Sequence, residues 1–325
     1  MHTIRLRYCM LLALVLAGCA SKPTTRPQAP ATPPAETVTT APVVPPSPPE
    51  PVQVPPARIA LVLGGGAAKG FAHIGVIKSL EAQGIKPDIV VGTSAGSLVA
   101  TLYASGYDGF ELQRIAMDMK ESMVSDWSLP DRGILKGEAL QEFVNKTVQN
   151  RPLEKLNRKV AVVATDLQSG DAIVFERGDT GMAVRASSCV PGVFQPVKIA
   201  GREYVDGGLV SPVPVKAARN LGADFVIAVD ISSKPSLKQL QGTLDVLLQT
   251  FTIMGSTIAA SELQQADVVI KPDISKLSST DFQSRHLAIL EGERATQPVI
   301  GEIKRKLAER EDRLRATLSA AKQPR

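Results

Sequence analysis

Ile89-Val90-Val91 runs into Gly92-Thr93-Ser94-Ala95-Gly96, and helix-compatible sequence from Ala95 to Ser105 runs out. A Gly-x-Ser-x-Gly between a strand and a helix is a nucleophile elbow: the turn is so tight that small residues must flank the serine, whose hydroxyl is lifted clear of the backbone. Gly92 and Gly96 are those flanking residues. The following helix aims its N-terminal dipole and free N–H groups at the place where oxyanion charge would develop. By itself the pentapeptide also fits a Gly/Ser turn that only caps a helix, so its neighbours decide.

The nearest is Gly64-Gly65-Gly66-Ala67-Ala68-Lys69-Gly70, directly after the apolar run Ile59 to Leu63. Such a loop exposes several backbone N–H groups and suits an anion. A P-loop needs Gly-Lys-Ser/Thr, whereas here Lys69-Gly70 is followed by Phe71. A dinucleotide site needs Gly-x-Gly-x-x-Gly and an acidic residue ending the second strand. Here the third glycine is displaced and the second strand ends in Gly92-Thr93-Ser94. An oxyanion hole serving Ser94 fits best, because loop and elbow end consecutive strands.

Outward from this pair the pattern alternates. Strand-like runs fall at Ile59–Leu63, Ile89–Val91, Val160–Ala164, Ile173–Phe175, Phe225–Val229 and Val268–Ile270. Helical spacing falls at Phe71–Gln83, Phe110–Met119, Gly137–Val148, Met182–Ser188 and Val215–Leu221, with longer helices at Leu237–Gln265 and Val299–Ala316 that should pack at the end of the domain. This predicts an α/β domain over 58–325 with a mainly parallel sheet covered on both faces.

Tyr204-Val205-Asp206-Gly207-Gly208 places an aspartate in a glycine turn at a strand end, from which it could reach a serine on a neighbouring strand. Alone this is an ordinary turn. Together the features resemble the patatin-like phospholipase family over about Ile59 to Asp230: the glycine loop with its basic residue, Ala72-His73-Ile74-Gly75-Val76 after it, the elbow, the block Arg185-Ala186-Ser187-Ser188 with Val190-Pro191-Gly192-Val193-Phe194, and the Asp-Gly-Gly turn. The resemblance implies a three-layer α/β/α sandwich and a Ser–Asp dyad. Ser94 would attack an acyl ester of a phospholipid or lysophospholipid, Asp206 would take its proton, and water would hydrolyse the acyl-enzyme. N–H groups around Gly65, Gly66 and Ala67 would hold the oxyanion. Lys69 would orient that loop or favour a lipid phosphate, with Gly70, Gly207 and Gly208 supporting. Many members carry a third glycine where Ala67 stands, so its methyl bears on which N–H groups point inward. No cofactor or metal is implied.

Ser94, Asp206 and His286 also occur in the order of a hydrolase triad. His286 has no turn signature around it and reads as a surface residue. His73 reads as structural, packing its helix against the glycine loop. A general carboxylesterase or thioesterase on the same dyad, and a catalytically idle envelope protein using the fold as a binding module, are the alternatives.

The first eighteen residues carry Arg5 and Arg7, then an apolar run from Met10 to Leu16 too short to span a bilayer. Leu16-Ala17-Gly18-Cys19 resembles the lipobox of bacterial lipoproteins, in which Cys19 becomes a diacylglycerol-bearing N-terminus. Ala20 rather than Asp follows, which by analogy with envelope sorting points to the outer membrane, facing the periplasm. Between residues 20 and 57 thirteen of 38 residues are proline, which lacks the donor that helix and sheet require. Such a tether, at about 3.1 Å per residue, reaches on the order of 100 Å. Of three cysteines only Cys189 lies in the globular part, so no internal disulfide is possible. The net charge of +5 drops by the two arginines of the leader, too mild a value for nucleic-acid binding, and no basic–aromatic run supports it. The expected partner is membrane lipid, both as substrate and as anchor; the sequence assigns no protein partner.

Overall fold

Strand β1, Ile59–Leu63, is apolar throughout because it has no solvent side. It pairs in parallel on both edges and is covered on both faces. Leu61 and Leu63 enter one core layer, Ala60 and Val62 the other. The structure, a computed structural model, describes residues 53–120, 135–233, 242–278 and 282–322. The leader, Cys19 and the proline-rich stretch up to Val52 lie outside the described residues, as does the expected helical segment from Leu237 to Gln241.

The other strands are β2 (Ile89–Thr93), β3 (Lys159–Asp166), β4 (Ala172–Phe175), β5 (Val197–Ile199), β6 (Arg202–Asp206), β7 (Phe225–Val229) and β8 (Val268–Ile270). They form one eight-stranded sheet in the order β5-β6-β3-β2-β1-β7-β8, with β4 also on β3. The run β3-β2-β1-β7-β8 is parallel, and β4, β5 and β6 join antiparallel. The helices are α1 (Ala72–Ala82), α2 (Ala95–Ala104), α3 (Gly109–Asp118), α4 (Glu138–Thr147), α5 (Thr180–Ser188), α6 (Val215–Asn220), α7 (Thr243–Leu263), α8 (Arg285–Thr296) and α9 (Ile300–Lys322). One face of the sheet is packed by residues of α1, α2, α3 and α8; the other, lined by small residues, is packed by α6 and by Ala259 of α7. Leu61, Leu63, Ile77, Leu80 and Ile227 are fully buried, each contributing about 1.5–3 kcal/mol by leaving water. The compact unit Pro51–Arg325 contains every strand pairing and the whole described core, so it has what a domain needs to fold on its own.

Register fixes the site. β3 has three partners but only two edges. β4 pairs with Val162 to Thr165 and so overlaps the stretches paired by both β2 and β6. β2 and β6 therefore share the other edge, end to end. β2 finishes with Thr93 opposite Val163, and β6 finishes with Asp206 opposite Ala164. Strand ends 112 positions apart, at Ser94 and Asp206, are thereby made neighbours.

Three elements differ from expectation. The β5–β6 hairpin turns at Ala200 and Gly201, both with positive φ (50° and 84°), a geometry usually announced by Asn-Gly or Asp-Gly. α8 is a full helix that falls outside the stretches of helical spacing read from the sequence; charged and apolar residues are spread around it, so the sequence shows no clear stripe. α7 packs on the domain through Ala259 as expected, but Val246, Ile253 and Met254 on its outer side are about half exposed.

Candidate active site

Ser94 sits between β2 and α2 with φ 53° and ψ −125°, a strained conformation for a residue with a side chain. The elbow is enforced by close packing. A Cβ on Gly92 would strike the Gly96 carbonyl, and one on Gly96 would strike the Leu63 carbonyl. A Cβ on Gly70 would come within 2.7 Å of the Ala95 methyl, which brings the glycine loop hard against the elbow. The Ser94 N–H donates to Ser187 Oγ (2.8 Å), and that hydroxyl donates to the Val163 carbonyl, which lies where β2 and β6 meet. Ser187 thus stitches the elbow to the break between two strands. The sequence pointed to its block but to no role for it.

The structure brings Ser94 and Asp206 together. Ser94 Oγ donates to Asp206 Oδ2 at 2.7 Å, and the Gly208 N–H donates to Oδ1 at 2.7 Å. The aspartate backbone is also tied: its N–H donates to the Cys189 carbonyl, and its carbonyl accepts from Thr165 Oγ1. Gly207 is required beside it, since a Cβ there would meet the Val163 carbonyl. Burial raises the Asp206 pKa from 3.8 to about 6, against the lowering effect of the Gly208 and Ser94 hydrogen bonds.

The glycine loop corrects one expectation. The Gly65 N–H is committed to the Pro212 carbonyl at 3.0 Å and cannot serve an oxyanion. The N–H groups of Gly66 and Ala67 have no protein acceptor among the described residues, and both residues line the cavity with Ser94. Ala67 itself holds φ 50°, the left-handed region that explains a glycine preference there. Lys69 is buried, with Nζ donating to Ser233 Oγ (2.9 Å), and burial lowers its pKa. It ties the loop to Ser233, a residue of the cavity wall.

Neither histidine joins the pair. His73 is fully buried on α1, with Nε2 donating to the Gly64 carbonyl (2.8 Å), and burial drops its pKa to about 4, so it is a neutral tie between helix and loop. His286 is exposed at the start of α8. Among the described residues no group of three or more His, Cys, Asp or Glu side chains could hold a metal.

The family model for patatin-like phospholipases matches residues 61–219, a span that holds loop, elbow and Asp-Gly-Gly turn. This chain carries a patatin-like phospholipase domain. At the family level it is a lipid acyl hydrolase domain. An uncharacterised NTE family protein of Mycobacterium tuberculosis is 36% identical over 177 residues, 54% of this chain and 49% of that protein. The mouse patatin-like phospholipase domain-containing protein 6 is 32% identical over 230 residues, 68% of this chain and 16% of that protein. The chain spans about half the length of the first of these relatives and far less of the second. Among solved structures VipD from Legionella pneumophila overlaps with a TM-score of 0.46 at 13% identity, covering 77% of this chain and 67% of that one.

Two cavities of the patatin-like domain meet at Ser94. One, about 320 Å³, runs between the glycine loop, Asp206 and α7, and its wall includes Ser232, Ser233, Thr252 and Ser256 beside Leu209 and Phe251. The other, about 400 Å³, is almost wholly apolar, with Phe71, Leu98, Leu140, Phe194 and Phe282 in its wall. Ala67, Ser94, Val190 and Leu248 border both. An ester lying across Ser94 thus finds a lobe of mixed lining on one side and an almost wholly apolar, acyl-sized lobe on the other.

Proposed function

We propose that this protein is a serine acyl hydrolase that cleaves acyl esters of phospholipids or lysophospholipids through Ser94 and Asp206. One observation carries the reading: the buried Ser94–Asp206 hydrogen bond, formed directly and without a histidine between. Ser94 Oγ attacks the ester carbonyl as its proton passes to Asp206 Oδ2. The oxyanion is held by the Gly66 and Ala67 N–H groups and the N-terminal dipole of α2. Collapse breaks the C–O bond, and the leaving alcohol takes the proton back from Asp206. Water then attacks the acyl-enzyme, giving its proton to Asp206 and releasing the fatty acid as Ser94 regains its hydrogen. A carboxylate can do this work because its desolvated site lifts its pKa to about 6, closer to neutrality than an exposed aspartate. The apolar lobe supports a long acyl chain over a short one.

The leader supports the further proposal that Cys19 carries lipid and holds the enzyme in the cell envelope, at the outer membrane and facing the periplasm, where a proline-rich tether lets it search nearby lipid. The catalytic reading is tested with a fluorophosphonate probe and phospholipid hydrolysis. Ser94→Ala and Asp206→Asn should each lose at least about 10³-fold in kcat, with the double variant no worse, because the two act as a unit. His286→Ala should stay within about twofold. A folded His286→Ala as inactive as Ser94→Ala would replace the dyad with a triad, and a wild-type protein that ignores the probe would leave a binding module.

A further inference from the structure

Helix α7, Thr243–Leu263, is 21 residues long and apolar enough by length and composition to cross a membrane, yet it is not built as a span. It lies against the domain by a mixed inner face, with Leu248 and Phe251 on the cavity and Ala259 in the core, and it leaves large apolar side chains on its outer face as well. Thr252, Gly255 and Ser256 face inward and line the cavity at Ser94, while Val246, Ile253 and Met254 face outward and are 51%, 48% and 49% exposed. An ordinary surface helix turns its apolar stripe to the core and its polar one to water. Here Glu262 also points in, donating nothing but accepting from Ser211 Oγ and from the Val213 N–H, so the helix is pinned to the protein by its C-terminal end. From Thr243 to Ser261 the only charged residue is Asp245. The outer face is therefore neither solvated by charge nor buried by the described protein.

What belongs against it follows from what the same helix does inside. Leu248 borders both cavities, and Leu244 and Leu247 lie over Gly192, where an added Cβ would come within 3.1–3.2 Å of their methyls. Pro191 beside Gly192 is itself a cavity wall. The exposed apolar row is thus continuous with the wall of the site. We propose that the outer face of α7 is a bilayer-docking surface: it seats in the acyl region of a lipid membrane with the helix lying in the interface, so that lipid reaches Ser94 along α7 without crossing water. A lipid surface is favoured over a second protein because it satisfies the apolar row and supplies the acyl chains that the neighbouring lobe accommodates. The biological purpose rests on the acyl-hydrolase reading; the docking itself does not.

The test uses the unit Pro51–Arg325, which holds the whole described core and lacks Cys19. Vesicles of phosphatidylethanolamine and phosphatidylglycerol serve as probe. The unit should co-sediment with them, and the triple variant Val246→Glu/Ile253→Glu/Met254→Glu should lose binding by on the order of tenfold or more, since three half-exposed apolar groups become charged. Its hydrolysis of a soluble short-chain ester should stay within about twofold and its Tm should be unchanged, because none of the three lines a cavity. As a second readout, Met254→Cys carrying an environment-sensitive dye should shift to the blue on adding vesicles; Cys189 is buried and leaves the label selective. A triple variant that sediments like wild type, or a dye that does not respond, overturns the proposal. So does a lipid-free wild type that is a dimer while the triple variant is a monomer, which would make the face a contact between copies. Vesicle binding by Ser94→Ala equal to wild type supports docking independently of chemistry, and a wild type that docks but hydrolyses nothing refutes the enzymatic reading alone.

Discussion

Ala67 holds φ 50°, a conformation that glycine enters freely and alanine enters at a cost of roughly 1–2 kcal/mol. The sequence showed an alanine where relatives of this type often have glycine; the structure shows that the backbone still follows the glycine path. Ala67→Gly should therefore raise stability by about 0.5–1 kcal/mol after the entropy glycine adds to the unfolded chain, seen as a Tm higher by about 1–4 °C. Loss of stability would mean that the methyl makes contacts worth more than the strain. Asp206 is strained in another sense, by being charged where charge is poorly solvated. Its folded pKa of about 6 lies above the unfolded value near 3.8, so the folded state binds the proton more tightly. This contribution is fully present below pH ~4 and is lost as pH rises through about 6. Two consequences follow. The rate kcat/KM should fall on the acid side of about pH 6, because only the carboxylate can accept the serine proton. Asp206→Asn should be inactive yet more stable at pH 7, by up to about 3 kcal/mol, a difference that shrinks toward pH 4. A Tm at neutral pH below that of wild type would show that the hydrogen bonds of the carboxylate outweigh its desolvation.

At the scale of the element, the hairpin between β5 and β6 delivers Asp206, and its turn is carried by Ala200 and Gly201 at φ 50° and 84°. Asn is the residue best suited to the first of these positions. Ala200→Asn should stabilise by about 0.5–1 kcal/mol without touching activity, checked by chemical denaturation. The same position explains why the hairpin was not legible: Ala-Gly carries no turn signature, and three-residue β5 is too short to show a period. By contrast β1, β2, β7 and β8 stood out because a strand buried on both faces is an uninterrupted apolar run. The elbow stood out because its glycines are needed for contact distance, and contact distance leaves a local mark in sequence. The long helix at the domain's end was legible as a helix that packs there, which it does through Ala259, but the exposure of its outer face was not legible, since an apolar sequence says what avoids water but not what replaces the water. Gly65 was offered as an oxyanion donor because it is a glycine of the loop. Only the Pro212 carbonyl, nearly 150 positions away, shows that its N–H is already used.

At the scale of the whole molecule, the described unit has its own core, and the proposed leader and tether lie ahead of it in the sequence. A soluble form starting at Arg58 should keep activity on short-chain esters, and Cys19→Ala should release or mislocalise the full chain. In cells both should turn over membrane lipid much more slowly than the wild type; undiminished turnover would remove the reason for the anchor. EDTA should leave hydrolysis intact, as the proposed chemistry uses only Ser94, Asp206 and backbone N–H groups. Finally, the two strands that stop against each other along β3 have a temporal consequence. Ser94 can be placed early, by β2, α2 and their glycines, all close in the chain. Asp206 arrives only when β6 has threaded into the remaining stretch of that edge. Until then the serine is an ordinary alcohol, no more nucleophilic than any other in the chain. On the proposed chemistry, probe labelling should accordingly lag the appearance of secondary structure during refolding, and a nascent or half-assembled molecule would be spared from attacking the lipid around it.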